Sequence, residues 1–435
     1  MSNFDELRKK IEDRNLRCGV MGLGYVGLPL AMEFARAGFD VVGFDIKEET
    51  CDLLNKGTSH IKDVDSATLA EYVESGRFRA TTDFSILGSV DTINICVPTP
   101  LRKTRDPDVS YIVSAVNEIV PRLTRGHLVI LESTTYPGTT DELILPRLQA
   151  TGLEESKDFF LAFSPERVDP GNPTHHTRNI PKVVGGSSPL STQVATALYE
   201  ACVDTVVPVS STRVAEMVKL QENTFRSVNI GLVNELAQMC NAMNIDVWEV
   251  IDAAATKPFG FMAFYPGPGL GGHCIPIDPF YLSWKARQHG FEARFIELAG
   301  QVNGAMPSYV ATRVSEALNS RGKAVRGSKV LVAGVAYKPD VDDARESPAF
   351  DVMRRLRRWG AILSYSDPLI STFRDQEDME SMPFTPDRIR EHDCVVIVTD
   401  HSAFDYAALA DESGPVVVDT RNALKDVAGS HIYRI

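Results

Sequence analysis

Residues 17–46, RCGVMGLGYVGLPLAMEFARAGFDVVGFDI, decide the fold of this chain. An apolar run leads into the pattern G-x-G-x-x-G at 22–27, and a helical pattern follows until Gly38. A second apolar run then ends at Asp45. The glycine pattern alone would be weak support, but a strand before it, a helix after it and an acidic strand end predict a dinucleotide-binding βαβ unit.

The glycines of this unit have distinct predicted roles. Gly22 permits the tight turn, Gly24 lets a pyrophosphate approach the backbone, and Gly27 lets the helix close on the sheet. The helix N-terminus offers N–H groups and partial positive charge to phosphates. Asp45 would accept hydrogen bonds from ribose hydroxyls and repel a 2′-phosphate, so NAD is predicted rather than NADP. The predicted cofactor-binding residues of the loop are Gly22, Gly24, Tyr25, Val26 and Gly27. The alternative is a glycine turn in an α/β domain without a ligand.

Three further apolar runs end in polar or Pro/Gly-rich loops, at 90–100, 127–138 and 158–171. Because the carboxyl ends of parallel strands face the ligand crevice, three polar side chains are expected at that edge: Thr99, Thr134 and Glu166. Two more apolar runs, at 182–186 and 204–210, complete a NAD-binding Rossmann domain expected at residues 1–210.

The sequence pattern changes at 212–244, a stretch that contains no proline and a single glycine. This composition predicts one helix of about 30 residues, of the kind that connects domains or forms a dimer interface. Lys219 and Asn223 lie four residues apart and therefore on one face of that helix. The alternative is that both are solvated surface residues. A central helical domain is expected at residues 211–310.

A glycine-rich loop at 267–279, GPGLGGHCIPIDP, contains Cys274. A thiol adds to an aldehyde to give a thiohemiacetal, whose carbon loses hydride to form a thioester that water then hydrolyses. Gly271 and Gly272 would let a substrate carbon approach closely, and the helix start that follows would lower the pKa of the thiol. Asp278 would orient water or accept a proton. The alternative is a buried structural thiol.

The long helix would complete this chemistry. Lys219 would stabilise an oxyanion by its charge, and Asn223 would fix a water or hydroxyl by hydrogen bonding. A metal site built from His273, Cys274 and Asp278 lacks further ligands at recognisable spacing, so no metal is predicted. The seven cysteines include no C-x-x-C pair, and Cys96 and Cys394 lie in apolar runs typical of buried thiols.

Composition excludes several classes of partner. The net charge of −13 argues against nucleic acid and against an anionic membrane surface. No apolar run approaches the roughly 20 residues that a membrane span needs. The charged N-terminus has no apolar signal-peptide core, so a cytoplasmic location is expected.

From about Gly327 strand-like and helical patterns alternate again, without a second G-x-G-x-x-G. Lys338 and Arg345 lie beside Ser347-Pro348, an N-cap followed by proline in the first helical turn. Two cations near a helix N-terminus suit a phosphate-bearing ligand, whereas ion pairs with Asp340, Asp342 and Asp343 are the alternative. The fold class predicted is therefore α/β, with two Rossmann-like doubly wound domains joined by the helical domain, the second at residues 311–435.

Five motifs together resemble the UDP-glucose/GDP-mannose dehydrogenase family: GLGYVGLPLA, SPERVDPG, KLQEN, GPGLGGHCIPIDP and VAYKPDVDDARESP. The resemblance covers nearly the whole chain in order. It implies NAD-dependent, two-step oxidation of the C6 hydroxyl of a nucleotide sugar to a carboxylate, with a UDP-sugar as substrate. It also implies a homodimer or higher homo-oligomer joined through the long helix.

The resemblance assigns catalytic roles by position. Cys274 matches the family's thioester-forming cysteine, and Asp278 matches its general-base partner. Lys219 and Asn223 match the residues that stabilise oxyanions and order water. Glu166 matches the glutamate used in thioester hydrolysis.

Further matches concern the ligands. Thr134 matches a threonine that holds water near the nicotinamide. Lys338 matches a substrate-contacting lysine, and Arg345 an arginine that reaches the cofactor. Predicted cofactor contacts thus include Asp45, Thr99, Thr134 and Arg345, and predicted substrate contacts are Glu166, Arg167, Lys219, Asn223, Gly271, Gly272 and Lys338.

Departures from the UDP-glucose members bear on the sugar. Those members usually carry an aromatic between the glycines and a lysine just before the aspartate, where this chain has Leu270 and Ile277. The UDP-glucose members also carry an arginine, contributed by the partner subunit, upstream of the cysteine. This chain has no evident match for it, and Lys257 is the only basic residue in the stretch TKPFGFMAFYPG at 256–267. The loop is more similar to the N-acetylhexosamine branch, and most similar to members that act on UDP-N-acetylglucosamine. Alternatives are UDP-N-acetylmannosamine, UDP-N-acetylgalactosamine and UDP-glucose, and more distantly a single-step hydroxyacid dehydrogenase or a non-catalytic NAD-binding protein.

Overall fold

The computed structural model describes residues 1–100, 106–168, 172, 174–272, 275–374 and 378–435. Contacts divide the chain into two compact units. The first contains residues 1–222 and 284–289, and the second contains 223–283 and 290–435. The predicted domain boundaries near residues 210 and 310 stay predictions.

The first unit contains an eight-stranded sheet in the order β3-β2-β1-β4-β5-β6-β7-β8. Neighbouring strands are parallel except for β6 and β7, which are antiparallel. The first six strands have the order of a doubly wound dinucleotide-binding sheet. The strands are β1 (Arg17–Met21), β2 (Asp40–Phe44), β3 (Phe78–Thr81), β4 (Thr92–Ile95), β5 (Leu128–Leu131), β6 (Phe160–Phe163), β7 (Lys182–Gly186) and β8 (Val206–Val209).

Both faces of this sheet are covered. Side chains alternate between the faces of a strand, so Leu128 and Ile130 join one apolar cluster and Val129 and Leu131 join another. The flanking helices are α1 (Asn3–Glu12), α2 (Gly27–Arg36), α3 (Glu48–Asn55), α4 (Ser66–Glu74), α5 (Ser110–Ile119), α6 (Leu145–Gln149) and α7 (Pro189–Glu200).

The long helix is confirmed as a single element, α8 (Thr212–Ala242), of 31 residues. Asn244 has φ +60°, a left-handed conformation that does not continue a helix. Two shorter helices follow, α9 (Val247–Ala255) and α10 (Asp278–Gln288), and α10 begins directly after the cysteine loop.

The second unit contains a five-stranded parallel sheet in the order β10-β9-β13-β14-β15 and a two-stranded antiparallel sheet, β11-β12. The strands are β9 (Lys329–Ala333), β10 (Ile362–Ser366), β11 (Thr372–Arg374), β12 (Asp378–Glu380), β13 (Cys394–Ile397), β14 (Val416–Asp419) and β15 (Ile432–Arg434). The remaining helices are α11 (Arg294–Ser320), α12 (Pro348–Arg358) and α13 (Pro386–Arg390).

A second sheet without a glycine fingerprint confirms the predicted α/β class. Helix α11 packs against this sheet through apolar residues at helical spacing, including Val310, Val314 and Leu318. In the part of the chain that the structure describes, no helix is both long and apolar enough to span a membrane.

Candidate active site

The glycine loop between β1 and α2 has the geometry of a phosphate cradle. Gly22 has φ +91°, and a Cβ there would lie 2.7 Å from the carbonyl oxygen of Cys96. A Cβ on Gly27 would lie 1.8 Å from the carbonyl oxygen of Gly22, so neither position accepts a side chain. A Cβ on Gly24 would have no described heavy atom within 4 Å, which leaves open space above the loop. These residues therefore fit NAD, whose pyrophosphate would lie at the N-terminus of α2.

Asp45 follows β2 at the same edge of the sheet. Its Oδ2 accepts a hydrogen bond from the backbone N–H of Leu23 at 3.0 Å, and its Oδ1 accepts from that of Lys47 at 3.0 Å. Asp45 is thus tied to the glycine loop, and its contact with the ribose stays a prediction. Tyr25 is exposed in that loop, Val26 is partly buried, and Thr99 is partly buried after β4.

The loop after β5 carries Thr134, which is partly buried. This loop is fastened to α8 by Glu216, whose carboxylate accepts hydrogen bonds from the N–H groups of Gly138 at 2.6 Å and Thr140 at 2.9 Å. The hydroxyl of Thr140 donates to the same carboxylate at 2.7 Å. Sequence reasoning missed Glu216, although an acidic residue among apolar neighbours, three positions before Lys219, was an available signal.

Burial raises the pKa of Glu216 to about 7 from 4.5, against the lowering effect of the Gly138 and Thr140 donors. Between these two values the folded chain retains a proton that the unfolded chain has released, so stability falls as pH rises through this window. The loss is complete above pH 7 and is of the order of 3 kcal/mol.

Replacing Glu216 with glutamine is expected to remove this pH dependence. The melting temperature of the wild type, measured against that of Glu216→Gln, should fall as pH rises from 4.5 to 7.5. The control is Glu235→Gln, which changes an exposed glutamate of the same helix. A difference between wild type and Glu216→Gln that stays constant across this range would contradict the account.

Glu166 and Arg167 occupy the loop after β6. The Oε1 atom of Glu166 accepts hydrogen bonds from the N–H groups of Arg167 at 2.7 Å and Val168 at 2.8 Å, which fixes the carboxylate. The guanidinium of Arg167 donates to both carboxylate oxygens of Glu222 on α8, at 2.6 and 3.3 Å. Arg167 therefore joins this loop to the long helix, a contact that the sequence did not indicate.

Two candidate residues on different elements of the second unit are in direct contact. The Nδ2 of Asn223 donates to the Oδ2 of Asp278 at 2.5 Å, and both side chains are buried. Arg226 donates to the Oδ1 of Asn223, which fixes the orientation of the amide. Lys219 is 7% exposed and Asn223 1% exposed, so the alternative that they are solvated surface residues is wrong.

The cysteine loop is described only on either side of residues 273–274. Cys274 and His273 lie outside the described residues. A Cβ on Gly271 would lie 2.8 Å from the Cβ of Tyr337, and Gly272 has φ +80° beside the Tyr337 ring. Packing against Tyr337 therefore explains why glycine is needed at both positions, and their contact with substrate stays a prediction.

The six described cysteines are all buried. Burial raises the pKa of the Cys96 and Cys394 thiols, so these groups stay protonated at neutral pH, and the prediction for both is confirmed. Burial also raises the pKa of Cys202 to about 12.

The loop that follows β9 carries Lys338 and Arg345. The hydroxyl of Ser347 accepts a hydrogen bond from the N–H of Ala349 at 3.3 Å, with Pro348 in the first turn, which confirms the predicted N-cap of α12. Lys338 is partly buried. Arg345 is exposed and pairs with Asp343 at 2.6 Å, the ion pair considered as an alternative. A cofactor contact by Arg345 therefore stays a proposal.

The base of this loop is held by a carboxylate after β10. Asp367 accepts hydrogen bonds from the N–H groups of Val335 at 2.8 Å and Ala336 at 2.9 Å, and contacts the Nε2 of His401 at 3.1 Å. Burial opposes charge on Asp367, but His401 and the backbone donors outweigh burial and lower its pKa to about 2. The loop is therefore anchored by a charged carboxylate at neutral pH.

Comparison with known proteins covers most of the chain, in three ranges between residues 16 and 426. Residues 16–203 match the NAD binding domain of the UDP-glucose/GDP-mannose dehydrogenase family, 213–305 match its central domain and 331–426 match its UDP binding domain. The chain belongs to this family, and it is an NAD-dependent nucleotide-sugar dehydrogenase.

The names of individual relatives refer to different sugars. The chain is 37% identical over 396 residues to UDP-N-acetyl-D-glucosamine 6-dehydrogenase of Pseudomonas aeruginosa, covering 90% of this chain and 92% of the relative. It is 35% identical over 412 residues to NDP-N-acetyl-D-galactosaminuronic acid dehydrogenase of Ralstonia solanacearum, covering 92% and 95%. The solved structure of UDP-D-ManNAc dehydrogenase from Pyrococcus horikoshii matches with a TM-score of 0.88 and 33% identity, covering 97% and 99%. The predicted resemblance to UDP-N-acetylglucosamine 6-dehydrogenase is thus confirmed as one of several close ones.

Proposed function

We propose that this dehydrogenase oxidises the C6 hydroxyl of a UDP-N-acetylhexosamine, first of all UDP-N-acetylglucosamine, to the carboxylate in two steps. The observation that carries this proposal is the buried hydrogen bond between Asn223 and Asp278. It joins the long helix to the residue four positions after Cys274, so a carboxylate and an amide are held beside the loop of a reactive cysteine. An enzyme that stopped after one oxidation would not need Cys274, because no thioester would form.

The proposed chemistry uses residues of this chain in sequence. NAD, when bound, supplies the acceptor for the hydride of each oxidation. The thiolate of Cys274 adds to the aldehyde carbon, and the second oxidation converts that adduct to a thioester. Lys219 stabilises the oxyanion, and Asn223 orders the water or hydroxyl. Asp278 accepts the proton of the thiol when the adduct forms.

Release of the acid requires hydrolysis of the thioester. Water attacks the carbonyl carbon, the carbon–sulfur bond breaks and the Cys274 thiolate leaves. Glu166 accepts the proton of the attacking water, and Thr134 holds water near the nicotinamide. Lys338, Arg167 and the backbone at Gly271 and Gly272 bind the UDP-sugar, while Arg345 contacts the cofactor.

The sugar is proposed from the loop that precedes Asp278. Leu270 and Ile277 replace the aromatic and the lysine of the UDP-glucose members, which favours an N-acetylhexosamine. The names of the relatives divide among N-acetylglucosamine, N-acetylmannosamine and N-acetylgalactosaminuronic acid. The acid would be a precursor of bacterial surface polysaccharides. Membership of the family makes the two distant alternatives, a hydroxyacid dehydrogenase and a non-catalytic protein, wrong.

A substrate panel tests this assignment. The kcat/KM values for NAD reduction should be highest with UDP-N-acetylglucosamine and about 100-fold lower with UDP-glucose. A higher value with UDP-N-acetylmannosamine or UDP-N-acetylgalactosamine would move the assignment to that sugar. Absence of oxidation across the panel would contradict the proposed substrate class.

A homodimer is proposed from the surface of α8. Phe225, Leu232 and Met239 are exposed and spaced seven residues apart, so they form an apolar stripe on one face. A second copy of the chain would cover this stripe. Light scattering that gives the mass of a single chain at assay concentrations would contradict this assembly. We also propose a cytoplasmic location, which fractionation of cells would test.

A further inference from the structure

A buried ion pair lies beside the loop of Glu166 in the first unit. The Nζ of Lys182, at the start of β7, lies 2.8 Å from the Oε2 of Glu132, which directly follows β5. The Lys182 side chain is 5% exposed and that of Glu132 is 0% exposed. The other oxygen of Glu132 accepts hydrogen bonds from the hydroxyl of Tyr199 and, at 3.0 Å, from the Nδ2 of Asn94. Glu132 is therefore held rigidly, and it holds Lys182 in turn.

The antiparallel strand β7 brings Lys182 to Glu166. Ala162 pairs with Gly186 and Phe163 with Gly185, so the start of β7 lies toward the residues that follow β6. The Nζ of Lys182 lies 4.0 Å from the Oε2 of Glu166. The Oε1 of Glu166 is fixed by two backbone donors, so its two oxygens have different partners.

A small cavity adjoins both groups. Its volume is about 10 Å³, and its walls include Glu166, Lys182 and Arg167. A volume of roughly 10–15 Å³ is enough for one water molecule, provided that polar partners are present. Here a carboxylate and an ammonium group supply those partners.

The protonation states of Lys182, Glu132 and Tyr199 depend on their burial and on one another's charges. Burial opposes charge on Lys182, but Glu132 and Glu166 outweigh burial, so the pKa of Lys182 is raised and it stays a cation. Burial raises the pKa of Glu132, partly offset by Lys182, and burial raises the pKa of Tyr199, which keeps its phenol as a donor. Among the described residues, the titratable groups that interact electrostatically with Glu166 include Cys96, Glu132 and Lys182, and Arg167 is its neighbour in sequence.

We propose that Lys182, anchored by Glu132, is a positioning residue that turns the Oε2 of Glu166 toward the water that Glu166 deprotonates. The inference rests on the proposed role of Glu166 in thioester hydrolysis. An ammonium group about 4 Å away attracts this second carboxylate oxygen, so it fixes the direction in which the oxygen accepts a proton. Lys182 does not touch the substrate in this scheme, so its effect passes through Glu166.

A purely structural ion pair is the competing interpretation. The two are separated by comparing the rate at which the first NADH forms, measured by stopped-flow absorbance, with the rate of acid release. Lys182→Met alone would leave Glu132 buried without its cation and would endanger folding. The decisive variant is therefore Glu132→Gln/Lys182→Met, which removes both charges at nearly constant shape. Lys182→Arg serves as the conservative variant, and Lys157→Met, which changes an exposed lysine, is the matched control.

Quench-flow measurement of sugar-acid release from pH 5 to 9 tests the proposal, with NAD and the UDP-sugar that the panel identifies. Glu166→Gln should slow acid release about 100-fold or more at every pH. The double variant should slow acid release about tenfold or more while the first NADH forms at a normal rate, and Lys182→Arg should keep both rates near those of the wild type. A double variant that releases acid at the wild-type rate, or that slows the first NADH to the same extent, would overturn the role of Lys182. Normal acid release by Glu166→Gln would instead overturn the role of Glu166 itself.

Discussion

Replacing Cys274 with serine is expected to reduce the release of sugar acid on the order of 10³-fold or more. A cysteine thiol has a few per cent of nucleophilic thiolate at neutral pH, whereas a serine hydroxyl has essentially none without a dedicated base. Without the thiohemiacetal, the aldehyde has no adduct from which the second hydride can leave. The measurement is chromatographic quantification of the acid after incubation with NAD and UDP-N-acetylglucosamine.

Cys202→Ser is the matched control for this substitution. Its thiol is buried and donates to the carbonyl oxygen of Leu198, a bond that a serine hydroxyl can also make. We expect this variant to release acid within about threefold of the wild-type rate, since surface and core changes away from the site act mainly on stability. If Cys274→Ser released acid within tenfold of wild type, the covalent mechanism would be wrong.

The second large effect is expected for Asp278→Asn. The kcat should fall about 10² to 10⁴-fold, the range attributed to general acid–base catalysis, because the amide cannot accept the proton. The hydrogen bond from Asn223 can persist, since the asparagine side chain retains an oxygen acceptor. We therefore expect KM and the melting temperature to change much less than kcat.

Asp246→Asn is the control, because Asp246 is also an aspartate at a helix start. It caps α9 by accepting hydrogen bonds from the N–H groups of Trp248 and Glu249, and asparagine is an equally good cap. Its kcat should remain close to that of the wild type. If Asp278→Asn lowered the melting temperature strongly and left kcat unchanged, Asp278 would be a structural residue.

The local features of the fold were predictable because each depends on neighbours in sequence. The glycine turn at Gly22, the N-cap at Ser347 and the helix Thr212–Ala242 follow from residue type and spacing. Asp45 was also accessible to sequence reasoning, since it directly follows the second strand of a recognisable βαβ unit.

The contacts between distant segments were not predictable in the same way. Asn223 and Asp278 are 55 positions apart, and Glu132 and Lys182 are 50 positions apart. Lys182 reaches Glu132 and Glu166 because β7 runs antiparallel to β6, so the first residue of β7 lies at the edge where β5 and β6 end. A short strand-like segment such as KVVGG predicts a strand, but it does not indicate whether that strand runs parallel or antiparallel to its neighbour. The packing of Gly271 against Tyr337 depends in the same way on the arrangement of the second unit.

The number of NADH molecules formed per sugar tests the account most directly. The protein should be incubated with excess NAD and a limiting, known amount of UDP-N-acetylglucosamine until absorbance at the NADH wavelength stops rising. Four-electron oxidation through a thioester predicts two NADH per sugar and one sugar acid. One NADH per sugar, with an aldehyde as the final product, would contradict the account.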